Sequence, residues 1–192
     1  DGYAHLYQFS YSGKLINQIT DGNWALRSSG GPFWLRQSVV NINEEEGEIY
    51  FTSLKESSIE RHLYRSSIDG RNMEKLSDQK GVHKINFSND GNFYLDIHSD
   101  ASSPPTLVLY KNNGEKIHTL VDDRPELISE YDLQTPELFT IPTKDNFLMP
   151  AQILKPKNFN KTKKYPIIFH VYGGPSAPTV FDRWQGHSLF YD

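Results

Sequence analysis

The sequence contains no cysteine. That excludes a thiol nucleophile, a disulfide scaffold and any cysteine-ligated metal centre. It does not exclude an exported protein, because a large domain needs no covalent staples. Charge of one sign is scarce as well. Twenty Lys and Arg stand against 24 Asp and Glu, for a formal net charge of -4. No basic stripe marks a nucleic-acid surface, and no acidic run marks a solvating tail. The apolar runs are a few residues long, far short of the roughly 20 that span a bilayer as a helix. Methionine occurs twice and not at the first position. The chain begins at Asp1 with no signal peptide before it, so it reads as an excised or processed piece.

Aromatic residues, in contrast, are plentiful. There are 11 Tyr and 11 Phe, aromatics make up 13% of the chain, and hydrophobic residues make up 36%. A disordered chain would hold far fewer. Tyr and Phe also favour strands over helices.

The strand-rich pattern repeats. Two segments superpose at an offset of 44, with Gly47 on Gly91, Tyr50 on Tyr94, Leu63 on Leu107, Gly70 on Gly114 and Leu76 on Leu120. In both copies a polar, Gly-containing turn runs into an alternating strand, which is a hairpin signal. A partial copy lies upstream at an offset of 57, with Leu6 on Leu63, Tyr7 on Tyr64, Gly13 on Gly70, Ile19 on Leu76 and Asp21 on Asp78. The 13 extra residues fall between Gly22 and Glu46, and are expected to include Ser28-Ser29-Gly30-Gly31-Pro32. A period near 45 residues with four short strands per unit predicts β-propeller blades, about two and a half of them. A plain β-meander or sandwich is the simpler competing fold.

The repeat ends near Val121-Asp122-Asp123, and Arg124-Pro125-Glu126-Leu127 predicts a turn or helix start. Leu138 to Pro142 and Met149 to Leu154 read as two strands around a Lys144-Asp145-Asn146 turn. After a charged loop, Tyr165-Pro166-Ile167-Ile168-Phe169-His170-Val171-Tyr172 is an almost continuous apolar run. Such a run predicts a strand buried on both faces, as in a parallel sheet. The expected division is therefore a partial β-propeller over residues 1–127 and a strand of α/β character within 128–192.

Gly173-Gly174-Pro175 ends that strand sharply. Ligands of open α/β sheets bind outside the carboxyl ends of strands. In α/β-hydrolases the loop after the third strand supplies part of the oxyanion hole. Glycines there let backbone approach the substrate, and the Tyr172 phenol can donate a hydrogen bond to a developing oxyanion. A core tyrosine at a strand end fits the same residue.

The run Asn158 to Pro166, followed by Val171-Tyr172-Gly173-Gly174-Pro175, resembles the entry to the catalytic domain of the dipeptidyl peptidase IV branch of the prolyl oligopeptidase family of serine peptidases. His62-Leu63-Tyr64, Phe87-Ser88-Asn89-Asp90-Gly91 and Ser99 to Pro105 resemble the propeller of the same family. The resemblance implies an eight-bladed propeller over an α/β-hydrolase. It also implies a Ser-Asp-His triad, no cofactor, and release of N-terminal dipeptides with Pro or Ala in the second position. It assigns Tyr172 as the oxyanion-hole tyrosine. A peptide substrate, no nucleic acid, a homodimer of the parent and an exported location (periplasmic, cell-surface or extracellular) complete these expectations. The residues themselves carry no address.

No G-x-S-x-G elbow occurs in the sequence. The nearest approach is Gly186-His187-Ser188, where Phe190 stands in place of the second glycine, so Ser188 reads as a non-nucleophile. The family's acidic pair that grips the substrate amine has no counterpart here. The 192-residue piece alone is therefore expected to be inactive. The alternative is a non-catalytic, propeller-based interaction module, since a fold does not fix a function.

His62, His83, His98 and His170 stand singly, without metal-ligand spacing. Glu44-Glu45-Glu46, Asp122-Asp123 and Lys161 to Lys164 read as solvated loop charge. Asn160-Lys161-Thr162 fits a glycosylation acceptor that a bacterial source would leave unused. Trp24, Phe33 and Trp34, beside the inserted loop, are expected to pack in a core.

Overall fold

The computed structural model describes residues 2–28, 38–131, 133–171 and 178–185. The first strands, β1 (Tyr7–Phe9) and β2 (Leu15–Gln18), form an antiparallel pair. A four-stranded meander follows: β3 (Val39–Asn43), β4 (Glu48–Ser53), β5 (His62–Ser67) and β6 (Met73–Lys75). A second meander repeats it with β7 (Val82–Phe87), β8 (Phe93–Ser99), β9 (Thr106–Lys111) and β10 (Lys116–Val121). These three parts are the upstream, middle and downstream units.

The two offsets read from the sequence map strand onto strand. Shifting β4 and β5 by 44 lands them on β8 and β9, and shifting β1 and β2 by 57 lands them on β5 and β6. The upstream unit is thus the outer half of a meander. Its link from β2 to β3 runs over residues 19–38, whereas the link from β6 to β7 runs only over 76–81. The expected insertion therefore sits between two matching sheets. Most of its Ser28–Pro32 loop, with Phe33 and Trp34, lies outside the described residues.

The glycines shared by the repeats turn the same corner. Gly13, Gly70 and Gly114 have φ of 81°, 77° and 87°. Each donates its N–H to the carbonyl three residues back, on Ser10, Ser67 and Lys111, at 2.9–3.0 Å. A left-handed backbone in a tight hairpin is the condition that selects glycine.

Side chains alternate along the middle unit and fill two cores. On β4, Phe51 faces the upstream unit with Ile19, Leu26, Ile49 and Tyr64, and Trp24 packs against that cluster. Its neighbour Tyr50 faces the other way, onto Leu63, Ile85 and Tyr94. Successive side chains of a strand point to opposite faces, so a sheet between two others has no outer face. Tyr50, Phe51 and Leu63 are accordingly fully buried. Aromatic rings knit the second core, with Tyr50 on Phe87 at 4.9 Å and Tyr94 stacked on Tyr110 at 5.1 Å.

Downstream of the repeats a short helix α1 (Pro125–Ser129) follows the predicted start signal, with Arg124 in a left-handed conformation ahead of it. The hairpin of β11 (Glu137–Pro142) and β12 (Leu148–Ile153) pairs without a bulge from Glu137↔Ile153 to Pro142↔Leu148. Its turn carries Asn146 at φ 63°, where the Lys144-Asp145-Asn146 turn was expected.

The buried strand expected over Tyr165 to Tyr172 is not formed over its described part, residues 165–171. Residues 165–171 make no ladder, and Ile168 and Phe169 are 94% and 81% exposed. Among the described residues no strand runs beside this segment. A strand of a parallel sheet is defined by its neighbours' hydrogen bonds and cover. Without them the apolar run leaves both faces in water.

Candidate functional site

The residue the sequence singles out for chemistry, Tyr172, lies outside the described residues, as do Gly173, Gly174, Pro175 and Ser188. The described residues gather their buried polar groups elsewhere, at the seam between the middle and downstream units.

Three histidines line that seam. His83 on β7 pairs across the ladder with His98 on β8, their rings stacked at 4.5 Å. His62, at the start of β5, lies 5.3 Å from His83. All three are buried. His83 places Nδ1 2.6 Å from Asp96 Oδ2 and Nε2 2.9 Å from the Gln79 carbonyl. His98 Nε2 donates to the Lys80 carbonyl at 2.7 Å. Burial pushes the His62 imidazole below its ordinary value, against the opposing pull of Glu60. Burial does the same to His98, against the opposing Lys80 carbonyl bond.

His62 sits in a chain that resembles a hydrolytic triad in connectivity. Ser77 Oγ is 2.9 Å from His62 Nδ1, and His62 Nε2 is 2.7 Å from Glu60 Oε2. Two observations make this an element of the fold. Ser77 is only 5% exposed, and its oxygen already accepts the Leu63 N–H at 3.0 Å. The same device stands 57 residues upstream, where Thr20 Oγ1 accepts the Leu6 N–H at 2.9 Å and lies 3.2 Å from His5 Nδ1. There the carboxylate is replaced by the Gly22 carbonyl, 3.0 Å from His5 Nε2. A hydroxyl that latches a strand amide in two successive units serves the repeat. Among the described residues, no three His, Cys, Asp or Glu side chains could hold a metal ion.

Beside the histidines the chain returns from its C-terminal part. Arg61, 1% exposed, is held by the carbonyls of Ser28 at 3.2 Å, Ser58 at 3.2 Å and Glu60 at 2.6 Å. Burial, and then the charges of Arg27 and Arg183, push its guanidinium down to about 10, which leaves it charged at neutral pH. The guanidinium carbons of Arg61 and Arg183 lie 5.3 and 4.6 Å from the centre of the Phe181 ring. Asp182 donates its N–H to the Ile59 carbonyl at 3.0 Å, and its Oδ1 accepts the Ala101 N–H at 2.9 Å. Trp184 donates its N–H to Ser99 Oγ at 3.3 Å. Gln185 Nε2 donates to Gln152 Oε1 on β12 at 2.8 Å. Residues 181–185 thus touch the β4–β5 loop of the middle unit, the end of β8 in the downstream unit, and the C-terminal hairpin.

In the sequence these histidines stand as scattered singles, and no motif marks Arg61 or Asp182. One signal was present. His5 and His62 share the 57-residue offset, and so do Thr20 and Ser77.

Comparison with known proteins agrees with this architecture. Residues 1–105 match the family model described as the dipeptidyl peptidase IV N-terminal region. A probable dipeptidyl-aminopeptidase B of Emericella nidulans is 33% identical over 96% of this chain and 20% of its own length. One from Arthroderma otae is 31% identical over 94% of this chain and 19% of its own length. The crystal structure of Porphyromonas gingivalis dipeptidyl peptidase 4 superposes with a TM-score of 0.83 at 28% identity, covering 96% of this chain and 25% of that one. The chain spans about a fifth of the length of the curated relatives it matches. With more than half of its residues under the family model, the chain belongs to the dipeptidyl peptidase IV family.

Proposed function

We propose that this chain is the junction of a serine exopeptidase, joining the last blades of a propeller over residues 1–127 to the first strands of an α/β-hydrolase over 128–192. The parent would release N-terminal dipeptides with Pro or Ala in the second position. The observation that carries the reading is the family match over residues 1–105, together with a likeness to a dipeptidyl peptidase structure that extends over 96% of the chain. The repeated four-stranded sheets support the propeller side, and the apolar run 165–171 with its Gly-Gly-Pro exit supports the hydrolase side.

In this reading the nucleophile and its base lie outside the chain, and Tyr172 supplies one hydrogen bond to the tetrahedral oxyanion. A phenol aimed at a charge that exists only in the transition state raises kcat without tightening ground-state binding.

The test is turnover of a Gly-Pro chromogenic dipeptide by the full-length protein and its Tyr172→Phe variant. Removing one oxyanion donor is expected to lower kcat by roughly 10²–10³ with KM nearly unchanged. Wild-type turnover in the variant would remove Tyr172 from the mechanism. No dipeptide release by the full-length protein would favour a binding module.

A further inference from the structure

The middle and downstream units meet through apolar side chains, Tyr50 and Leu63 against Ile85 and Tyr94. One end of that seam is polar instead. There β5 and β7 begin and β8 ends. Two backbone bonds cross it, from the Arg61 N–H to the Gly81 carbonyl and from the His83 N–H to the Arg61 carbonyl, each 3.0 Å. Arg61, His62 and His83 crowd this end, and each is no more than 2% exposed. Bonds among such groups are strongest with water kept out. Residues 181–185 bridge this end. Asp182 donates its N–H to the Ile59 carbonyl of the middle unit, and its carboxylate accepts the Ala101 N–H just past β8 of the downstream unit. Trp184 donates its N–H to the hydroxyl of Ser99, the ladder partner of Val82. The Phe181 ring packs on Arg61, whose guanidinium is already held by three carbonyls.

We propose that residues 181–185 are a clasp: with Asp182 as its bolt, this segment closes the polar end of the seam and ties the middle unit to the downstream unit. The clasp is made by residues 59–101 and 181–185 and does not depend on a catalytic role for Tyr172. Its bolt works as a hydrogen bond and not as a charge. Burial, then the nearby Asp100 and Glu60, raise the Asp182 carboxyl above its ordinary range, against the Ala101 N–H and Lys80. An asparagine would keep an oxygen for Ala101 without the buried charge. An alanine would not, and the buried Ala101 N–H would then be an unmet donor.

The experiment uses the full-length protein and the variants Asp182→Ala, Asp182→Asn and Phe181→Leu. It reads amide hydrogen exchange at Ala101, at the seam amides of Arg61 and His83, and along β4 inside the middle unit. Asp182→Ala is expected to speed exchange at Ala101 by roughly 10- to 100-fold, the scale of a lost bond to a charged acceptor. It is expected to speed Arg61 and His83, whose own bonds do not involve Asp182, by at least about threefold, and to leave β4 within about twofold. Asp182→Asn should stay within about threefold of the wild type at every site. Phe181→Leu leaves both Asp182 bonds possible, and it keeps the test open if Asp182→Ala does not fold. It should speed Arg61 and His83 by a smaller factor than Asp182→Ala does. Unchanged exchange at Ala101 in Asp182→Ala overturns the bolt. Faster exchange at Ala101 alone, with Arg61 and His83 at wild-type rates, overturns the clasp. Acceleration that reaches β4 equally overturns it too, because the whole fold would then have loosened. Asp182→Asn behaving like Asp182→Ala overturns the hydrogen-bond account, and wild-type exchange at Arg61 and His83 in Phe181→Leu removes the ring from the clasp.

Discussion

The middle unit and the run 165–171 are made of the same kinds of residue and end in opposite states. Tyr50, Phe51 and Leu63 are fully buried, while Ile168 is 94% exposed. Apolar residues fill both. The difference is the neighbour: β4 has a strand on each side and a sheet on each face, and 165–171 has neither among the described residues. Burial here is a property of the assembly, and a sequence can promise it without the partner being at hand.

The sharpest way to break this comparison is to truncate one side chain in each region. In the 192-residue chain, Phe51→Ala is expected to cost roughly 3–5 kcal/mol in chemical denaturation. Ile168→Ala should stay within about 0.5 kcal/mol in the same assay. In the full-length protein, Ile168→Ala should rise to about 2–5 kcal/mol if the run gains sheet neighbours there. Equal costs for Phe51 and Ile168 in the short chain would refute the contrast.

A smaller effect separates two glycines. At Gly81, with φ 114°, an added Cβ would meet the Ser99 carbonyl oxygen at 2.3 Å, where the downstream unit closes on its own link. Gly81→Ala should therefore cost about 3 kcal/mol in backbone strain and displacement. At Gly47, with φ 65°, an added Cβ would meet nothing within 4 Å. Gly47→Ala should cost only about 1 kcal/mol for the left-handed backbone. Similar melting shifts for the two would mean that the seam at Gly81 yields. Ser77→Ala comes next, at about 1–3 kcal/mol, because it strips the Leu63 N–H and His62 of a buried partner at once.

The smallest expected effect is a pH dependence. The His62 and His98 imidazoles are held below the ordinary value of 6.5, chiefly by burial. Below that value the unfolded chain takes up protons that the folded seam resists. Stability should therefore be level above about pH 7 and fall as pH drops towards about 5. Urea midpoints measured across that range check it. His98→Asn should flatten the slope, and an unchanged slope would show that the seam histidines do not carry it.

The repeats were legible in the sequence because each unit must solve the same turn and core problem. Gly70 and Gly114 turn alike, and Tyr50 and Tyr94 sit in one shared core. The β11–β12 hairpin was legible through its two largely apolar stretches and the Lys144-Asp145-Asn146 turn between them. The histidine column was not, because it depends on the cross-strand register that sets His83 opposite His98 and on two sheets meeting at His62. Asp182 was equally silent, since its partners Ile59 and Ala101 are more than 80 residues away in sequence. Residues 165–171 mark the opposite case, where the pattern was clear and the neighbours that would give it meaning were not beside it.

Amide hydrogen exchange at Ile167–Val171, compared between the 192-residue chain and the full-length protein, tests this account most directly. The account predicts exchange near the unstructured rate in the short chain. In the full-length protein it predicts protection comparable to that of β4, as a strand inside a sheet requires. Equally fast exchange in both would contradict it, because the run before Tyr172 would then not be a buried strand of a hydrolase sheet.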